Sequence, residues 1–381
     1  MVLFGWPHYQ DSPSLGKAGS YPLSNEHFDP VAGNVLLDEY MEEVQLCDRL
    51  GYDGVCLQEH HGNGAYSAFT ANTHVTAAAM SRITENIKIA IMGTRIPLHN
   101  PVTVAEDLAL LDHLTKGRPI WGALRGTPSE YLSYGINPTE SQGRFREAYD
   151  LIVKALTTVG PFDFDGEFYR VRDCNIWPRP LQAKLRTWMA CNSADTLEFA
   201  LDRGTYVATG IMDSARAGAL YQQSRDIVNK NGIDLADEWD EWFGGIALIY
   251  VAESDAIAKR DAAEHVKRYQ RALSLFDSPT GTLIPGYRSP QALKGFLAQS
   301  LAAQASESRD ITSYSLDEGM EKGIFIVGSP DSVLEQLRRK KEESRINVLL
   351  SFMRFGAMTK DEAFSSIQLF ADEVLPKARD L

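Results

Sequence analysis

The feature that most restricts the fold of this chain is a repeated alternation of short apolar runs with amphipathic segments. Residues 54–58, 87–92 and 119–124 are nearly continuous apolar runs, and apolar residues recur at helical spacing in the neighbouring segments 35–50 and 101–114. Strands that are apolar without alternation are buried on both faces, which indicates a parallel sheet covered by helices. The alternation continues along the chain and predicts roughly eight β/α units.

Each unit combines a predicted strand with a predicted helix. The strands are expected at 2–6, 54–58, 87–92, 119–124, 185–191, near 207, 245–251 and 347–352. The helices are expected at 35–50, 73–83, 101–114, 143–157, 195–203, 215–229, from 255 onwards and at 360–375.

A closed (β/α)8 barrel of the TIM type accounts for this count better than an open doubly wound sheet. The first predicted strand is not followed by GxGxxG, which further weakens the dinucleotide-binding alternative. Because α/β barrels often exceed the usual domain size, we predict one domain over residues 1–381. Two insertions interrupt it: a hairpin-like excursion at about 160–180, and a stretch rich in Pro and Gly at about 276–317 that is a candidate mobile lid.

Charge and cysteine content exclude several classes of partner. The chain has 38 Lys and Arg against 51 Asp and Glu, a formal net charge of −13, which disfavours binding to nucleic acid or an anionic membrane. Its four cysteines show no CxxC spacing, which is typical of reduced, packed thiols. With no visible export signal and no long apolar segment, we expect a cytoplasmic protein.

The sequence LQEHHGNG places a carboxylate and two adjacent histidines, Glu59, His60 and His61, where the second strand ends. In a barrel, this end of the strands forms the catalytic face. Three interpretations compete: a metal site, an acid/base or charge-stabilising site, and ordinary loop histidines. Zinc is disfavoured because no HExxH and no second His/Cys cluster completes a tetrahedral set, so we predict no metal site.

Two arginines bracket the fourth strand in KGRPIWGALRG. Arg118 begins that strand and is expected to be structural. Arg125 ends it on the catalytic face, where Gly126 leaves room for a ligand to approach. A solvated surface arginine remains the alternative for Arg125.

The fifth unit ends in WMACNSADTLEFA, where Asn192 or Ser193 is a natural N-cap of the next helix. A helix N-terminus carrying hydroxyls at Ser193 and Thr196 can also hold a phosphate through backbone amides and the helix dipole. Asp195 in the first turn opposes an anion. Capping alone and phosphate binding both stay open on this pattern.

Taken together, these motifs resemble the bacterial luciferase family of flavin-dependent monooxygenases over nearly the whole chain. Glu59–His61 is similar to that family's strand-end motif, and residues 110–126 are similar to its helix-turn-strand signature ending in Arg-Gly. Residues 192–200 resemble its phosphate-loop helix, and residues 328–376 resemble its closing units.

The resemblance implies a barrel that binds reduced FMN, which reacts with O2 to give a C4a-(hydro)peroxyflavin. His60 would be the catalytic histidine, with a pKa near neutrality at the edge of a dry cavity. Met92 and Gly93 would line the isoalloxazine where the family has a non-proline cis peptide. Residues Arg125, Asn192, Ser193 and Thr196 would bind the phosphate, although Asn192 stands where luciferase has a glutamate.

The implied function is a two-component monooxygenase that takes reduced FMN from a separate flavin reductase and oxygenates a small organic substrate, as a homodimer. Gly62 replaces an aromatic residue of the family, so the long-chain aldehyde substrate does not carry over. Two alternatives stay open. One is a hydride-transfer oxidoreductase that uses the deazaflavin coenzyme F420, and the other is a non-catalytic flavin-binding partner subunit.

Overall fold

Parallel strands form the centre of the molecule and helices cover them. The computed structural model describes residues 2–3, 25, 28–62, 71–191, 194–276, 286, 290, 293–294 and 311–381. Its strands are β1 Val2–Leu3, β2 Gly54–Leu57, β3 Lys88–Arg95, β4 Pro119–Leu124, β5 Phe162–Asp165, β6 Arg170–Cys174, β7 Thr187–Ala190, β8 Tyr206–Ile211, β9 Gly244–Val251, β10 Phe325–Gly328 and β11 Val348–Phe352.

The described helices lie mostly between these strands. They are α1 Pro30–Arg49, α2 Thr73–Ile83, α3 Pro101–Leu114, α4 Pro128–Ser133, α5 Ser141–Thr157, α6 Ala194–Asp202, α7 Ser214–Asn231, α8 Asp255–Phe276, α9 Leu316–Glu321, α10 Pro330–Ser344, α11 Lys360–Leu369 and α12 Leu375–Ala378. Short 3-10 turns occur at Ile96–Leu98, Pro138–Glu140 and Asp240–Trp242, and a π-helical turn at Phe370–Val374 joins α11 to α12. None of the helices in the described ranges is long and apolar enough to cross a membrane.

The strand order confirms the predicted α/β class and parallel sheet. The strands run β1-β2-β3-β4-β7-β8-β9, every neighbouring pair is parallel, and β11 pairs with the first half of β9. β10 pairs with the second half of β9. Some Cα atoms of β1 and β11, the first and last strands of the series, lie within 8 Å of one another. This is the (β/α)8 arrangement of the TIM type that the sequence predicts, with β10 as an added strand.

Helix α3 shows how local sequence sets an element's start. Pro101 occupies its first turn, and the Asn100 side chain accepts a hydrogen bond from the backbone N–H of Val102 at 2.9 Å, as predicted. Helix α1 begins five residues before the predicted start at residue 35, because Asp29 caps it in the same way and Pro30 follows. β10 and α4 were absent from the sequence prediction, since both are too short to show a clear period.

The excursion predicted at about 160–180 is confirmed as a hairpin of β5 and β6. The Glu147 carboxylate on α5 holds its turn by accepting hydrogen bonds from the backbone N–H groups of Glu167, Phe168 and Tyr169 at 2.5–3.2 Å. Most of the second predicted insertion, 276–317, lies outside the described residues. The lid and the single-domain organisation stay predictions.

Arg118 is structural, as expected for the start of β4. Its guanidinium donates hydrogen bonds to the backbone carbonyl oxygens of Thr84 at 3.1 Å, Ile87 at 2.8 Å and Thr115 at 2.7 Å. It therefore satisfies carbonyl groups where α2 and α3 end, at the edge of the sheet opposite to Arg125.

β3 and β4 approach closely because glycines face one another across the pair. A Cβ atom at Gly122 would lie 2.6 Å from the Ile91 carbonyl oxygen and 2.6 Å from the Met92 sulfur, and one at Gly93 would lie 2.4 Å from the Gly122 carbonyl oxygen. Backbone atoms cannot move aside cheaply, so these two positions require glycine. This close pairing brings the ends of β3 and β4 together.

We expect Gly122→Ala to lower the free energy of unfolding by about 1–3 kcal/mol, because the added methyl group overpacks the β3–β4 contact. Chemical denaturation monitored by circular dichroism measures the change. Gly244→Ala is the matched control, since a Cβ atom there meets nothing closer than 3.5 Å, and its effect should stay within roughly 1 kcal/mol. Equal effects of the two variants would contradict this account of β3–β4 packing.

Candidate active site

The polar residues of the site lie beyond the carboxyl ends of three adjacent strands. β2 and β3 pair in parallel with Leu57 opposite Ile91, and β3 pairs with β4 so that Arg95 lies opposite Leu124. The Glu59–His61 segment, the end of β3 and Arg125 therefore meet at one edge of the sheet. Sequence reasoning placed His60 and Arg125 on this edge, and the parallel pairing confirms that placement.

His60 is buried, with 8% of its surface exposed, and lies between two charged side chains. The Arg95 Nη2 atom contacts ring atom Nδ1 and lies 3.1 Å from Nε2, and Glu130 Oε1 lies 3.4 Å from Nδ1. Burial and the Arg95 charge lower the His60 pKa to about 4, against the weaker opposing effect of Glu130. The expectation of a pKa near neutrality is therefore wrong, and the imidazole is uncharged at pH 7.

Arg95 and Glu130 form an ion pair inside the site. The Arg95 Nε atom lies 2.7 Å from Glu130 Oε1, and the two side chains are 4% and 1% exposed. Glu130 also accepts hydrogen bonds from the backbone N–H groups of His61 at 3.1 Å and Thr127 at 2.6 Å. Burial alone would raise the Glu130 pKa, but the Arg95 charge, the interaction with His60 and the hydrogen bond from the Thr127 N–H lower it.

Sequence reasoning missed both members of this pair. For Glu130 a signal was present, because Thr127-Pro128-Ser129-Glu130 is a capping-box pattern, and the carboxylate indeed caps α4. For Arg95 the signal was weaker: a lone arginine between the apolar segments of β3 and Ile96–Leu98. A charge in such a position requires a buried partner.

Glu59 is the centre of a second cluster. Its Oε1 atom accepts hydrogen bonds from the Arg95 backbone N–H at 3.0 Å, His61 Nε2 at 3.2 Å and His99 Nε2 at 3.1 Å, and its Oε2 accepts from Thr73 Oγ1 at 3.2 Å. Burial would raise the Glu59 pKa, but hydrogen bonds from His61, His99 and the Arg95 backbone outweigh it and lower the pKa well below its ordinary value.

His99 adds a histidine to the Glu59 and His61 pair, where the sequence showed no second His/Cys cluster. Glu59, His61 and His99 carry ligand-type atoms within 4.8 Å of one another. Both imidazoles donate to Glu59, and the other ring nitrogen of His61 accepts a hydrogen bond from the Tyr134 hydroxyl at 2.8 Å. These hydrogen bonds orient the side chains of the cluster, and the absence of a metal site stays a prediction. His61 thus faces Glu59, whereas His60 faces Arg95 and Glu130.

The peptide bond between Met92 and Gly93 is cis, as the resemblance implied. The strand does not end there, contrary to the sequence prediction: β3 continues to Arg95, with an irregularity in its pairing to β4 between Met92 and Thr94. A pattern based on continuous apolar residues ends at Met92, because Gly93, Thr94 and Arg95 follow it. Contact of Met92 and Gly93 with a flavin ring stays a prediction.

The residues predicted to bind the phosphate follow the ends of β4 and β7. Ala123 is paired with Met189, so Arg125 and the start of α6 at Ala194 follow the ends of neighbouring strands. Thr196 is half-buried in the first turn of α6. The Asp195 carboxylate, which opposed an anion in the sequence pattern, lies 2.7 Å from Arg146 Nη2 on α5 in an exposed ion pair. Asn192 and Ser193 lie outside the described residues.

Comparisons with known proteins identify the family of this chain. The luciferase-like monooxygenase family matches residues 19–347. The alkanal monooxygenase alpha chain of Aliivibrio fischeri is 26% identical over 338 residues, covering 86% of this chain and 89% of that protein. Limonene 1,2-monooxygenase of Rhodococcus erythropolis is 25% identical over 350 residues, covering 90% of this chain and 82% of that protein.

Among solved structures, a similar chain is the oxygenating constituent of 3,6-diketocamphane monooxygenase from Pseudomonas putida, a type II Baeyer-Villiger monooxygenase in complex with FMN. It superposes with a TM-score of 0.69 at 19% identity and covers 90% of this chain and 93% of that one. At this identity the likeness shows the fold alone. Because the family matches most of the sequence, the chain belongs to the luciferase-like monooxygenases.

Proposed function

We propose that this protein is the oxygenating component of a two-component system, which uses reduced FMN and O2 to oxygenate a small, uncharged organic substrate. The observation that carries the proposal is that His60 and Arg125 follow the carboxyl ends of β2 and β4, on either side of the last part of β3, which contains Met92 and Gly93. That edge of an α/β barrel is where catalytic residues lie. Membership of a monooxygenase family supports the reaction class.

The described residues fit a flavin mononucleotide in their donor chemistry. Arg125 supplies a guanidinium, and the first turn of α6 supplies backbone amides and the Thr196 hydroxyl, a combination suited to a phosphate. Asn192 and Ser193 are proposed to complete this contact. Met92 and Gly93 are proposed to lie against the ring system. When bound in reduced form, the flavin would supply the electrons that activate O2.

His60 is the proposed catalytic residue. An uncharged imidazole carries one N–H donor, and with its lone pair turned to Arg95 it can still donate a hydrogen bond to a polar oxygen of the substrate. The buried charges around it come in opposed pairs, which suits an uncharged substrate better than a strongly charged one. The limonene and alkanal relatives carry names of uncharged small molecules, in agreement with this class.

Supply of reduced FMN by a separate reductase, a homodimeric state and a cytoplasmic location complete the proposal. An F420-dependent hydride transfer and a non-catalytic partner role are the functions to be tested against it. Oxygen consumption coupled to product formation separates the first alternative, because hydride transfer to or from a deazaflavin consumes no O2. The effect of replacing His60 on the oxygenation rate distinguishes the proposal from the second alternative, the non-catalytic partner role.

Arg125→Gln should weaken binding of reduced FMN by roughly 10- to 100-fold, because a charge-assisted hydrogen bond to the phosphate is lost. Anaerobic titration with reduced FMN, followed by flavin absorbance or fluorescence, measures the dissociation constant. Arg172→Gln is the matched control: this arginine lies on the β5–β6 hairpin with 57% of its side chain exposed, so its loss should leave the constant unchanged. If the unsubstituted protein did not bind reduced FMN, the proposed function would be wrong.

His60→Ala should lower the rate of substrate oxygenation by roughly 100- to 10,000-fold while leaving the affinity for reduced FMN nearly unchanged. Rapid mixing of reduced enzyme with O2 and substrate, with product and hydrogen peroxide both quantified, separates oxygen transfer from unproductive loss of peroxide. His113→Asn serves as the control, since that exposed histidine donates to the Arg179 carbonyl oxygen at 2.8 Å, away from the carboxyl ends of the strands. An unaltered oxygenation rate in His60→Ala would point to the non-catalytic role.

A further inference from the structure

We infer that Arg95 and Glu130 are positioning residues for His60: their buried ion pair orients the imidazole at the strand ends and keeps it uncharged. The inference deepens the proposed function and rests on it only where it treats His60 as the group that acts on substrate. The orientation and charge of His60 are properties of the protein alone.

The first argument is the hydrogen-bonding chemistry of the three side chains. A guanidinium has donors and no acceptor, and it stays protonated at all accessible pH values. Arg95 Nη2 contacts Nδ1 of His60 and lies 3.1 Å from Nε2. A doubly protonated ring would direct an N–H group against this donor. Glu130 Oε1 also faces Nδ1, at 3.4 Å, but Arg95 is the nearer partner, so a ring nitrogen accepts from Arg95 and His60 is held in its neutral form.

The second argument is the set of charges that face His60 among the described residues. Arg95 faces it from the end of β3, Glu130 from α4, and Glu59 and His61 belong to its own segment. Burial and Arg95 lower the His60 pKa, Glu130 raises it, and His61 lowers it slightly. Since Glu59 is engaged by His61 and His99, Arg95 has the largest effect of the neighbouring charges on the His60 pKa, second only to burial.

The third argument is burial, which separates positioning from direct contact with a ligand. Only 3% of Arg95 and 1% of Glu130 is exposed, and each is held by further bonds. The Glu130 carboxylate accepts a hydrogen bond from the Thr127 N–H at 2.6 Å, and the Arg95 guanidinium is held by Glu130 Oε1, which lies 2.7 Å from its Nε atom. Neither side chain can turn towards a substrate without breaking this network, so both act through His60.

The direct test is the ionisation state of His60 in the unsubstituted, cofactor-free protein. Nitrogen-15 labelling of histidine, with the His60 signals assigned from their loss in His60→Gln, reports tautomer and protonation in an NMR titration. We expect His60 to stay neutral between pH 8 and 5.5. Titration with an ordinary midpoint near pH 6.5 would overturn the inference, whether or not the protein proves to be a monooxygenase.

Substitutions then identify the cause. Arg95→Gln should raise the His60 midpoint by roughly 1 to 3 pH units, because the repelling charge is gone while Glu130 remains. Arg95→Lys keeps the charge and should leave the midpoint near its original value. Glu130→Gln should lower the midpoint further. If a single variant does not fold, the double variant Arg95→Gln/Glu130→Gln, which leaves no unpaired buried charge, replaces it in the measurement of the His60 midpoint.

Arg260→Gln is the control for a general change of charge, since Arg260 lies on α8 with 70% of its side chain exposed. It should leave the His60 midpoint unchanged. If Arg95→Gln moved the midpoint no more than Arg260→Gln, Arg95 would have only a structural role and the inference would fall.

The pH profile of kcat distinguishes a positioning role from a loss of stability, because a destabilised protein would not acquire a new titration in that profile. If the proposed function holds, Arg95→Gln should introduce an acid limb in the pH profile of kcat that coincides with the new His60 midpoint, with little change in KM for the substrate. Arg95→Lys should restore the original profile. An altered NMR midpoint without any oxygenase activity would uphold the positioning role and reject the proposed function, so the two failures are distinguishable.

Discussion

The parallel pairing of β2, β3 and β4 is the constraint on which the rest of the site depends. Parallel strands end at the same edge of a sheet, so residues about 35 positions apart in sequence come within hydrogen-bonding distance there. Gly93 and Gly122 permit the close approach of β3 to β4. The contacts of His60 form at this edge. Arg95 comes from the end of β3, the strand beside β2, and Glu130 comes from α4, the helix that follows β4.

One capping glutamate connects local helix formation to the chemistry of the site. Glu130 satisfies the start of α4 through Thr127, neutralises Arg95 and bonds the backbone of His61. The two adjacent histidines consequently have different environments. His60 faces an ion pair and is uncharged, whereas His61 shares the Glu59 carboxylate with His99 and is bonded by Tyr134. The two histidines are adjacent in sequence but belong to two different clusters of side chains in the structure.

Much of the scaffold was predictable because it depends on local rules. Helices α2 and α3 and strand β4 have the predicted bounds, since a cap, a proline or a glycine marks each end. The cis bond at Met92–Gly93 followed from the resemblance. The site was predicted less completely: His60 and Arg125 lie at the expected edge, but Arg95, His99 and Glu130 entered only with the tertiary structure, and the phosphate contacts of Asn192 and Ser193 stay predictions.

The sequence alone determined the α/β class, the parallel sheet and the side of the sheet on which the chemistry lies, because apolar period and capping residues act over a few positions. Family membership likewise followed from motifs in their order along the chain. Only the tertiary structure decided the charge of His60, since its pKa depends on burial and on a guanidinium 35 residues away. Long-range electrostatics of this kind leaves no periodic trace in a sequence.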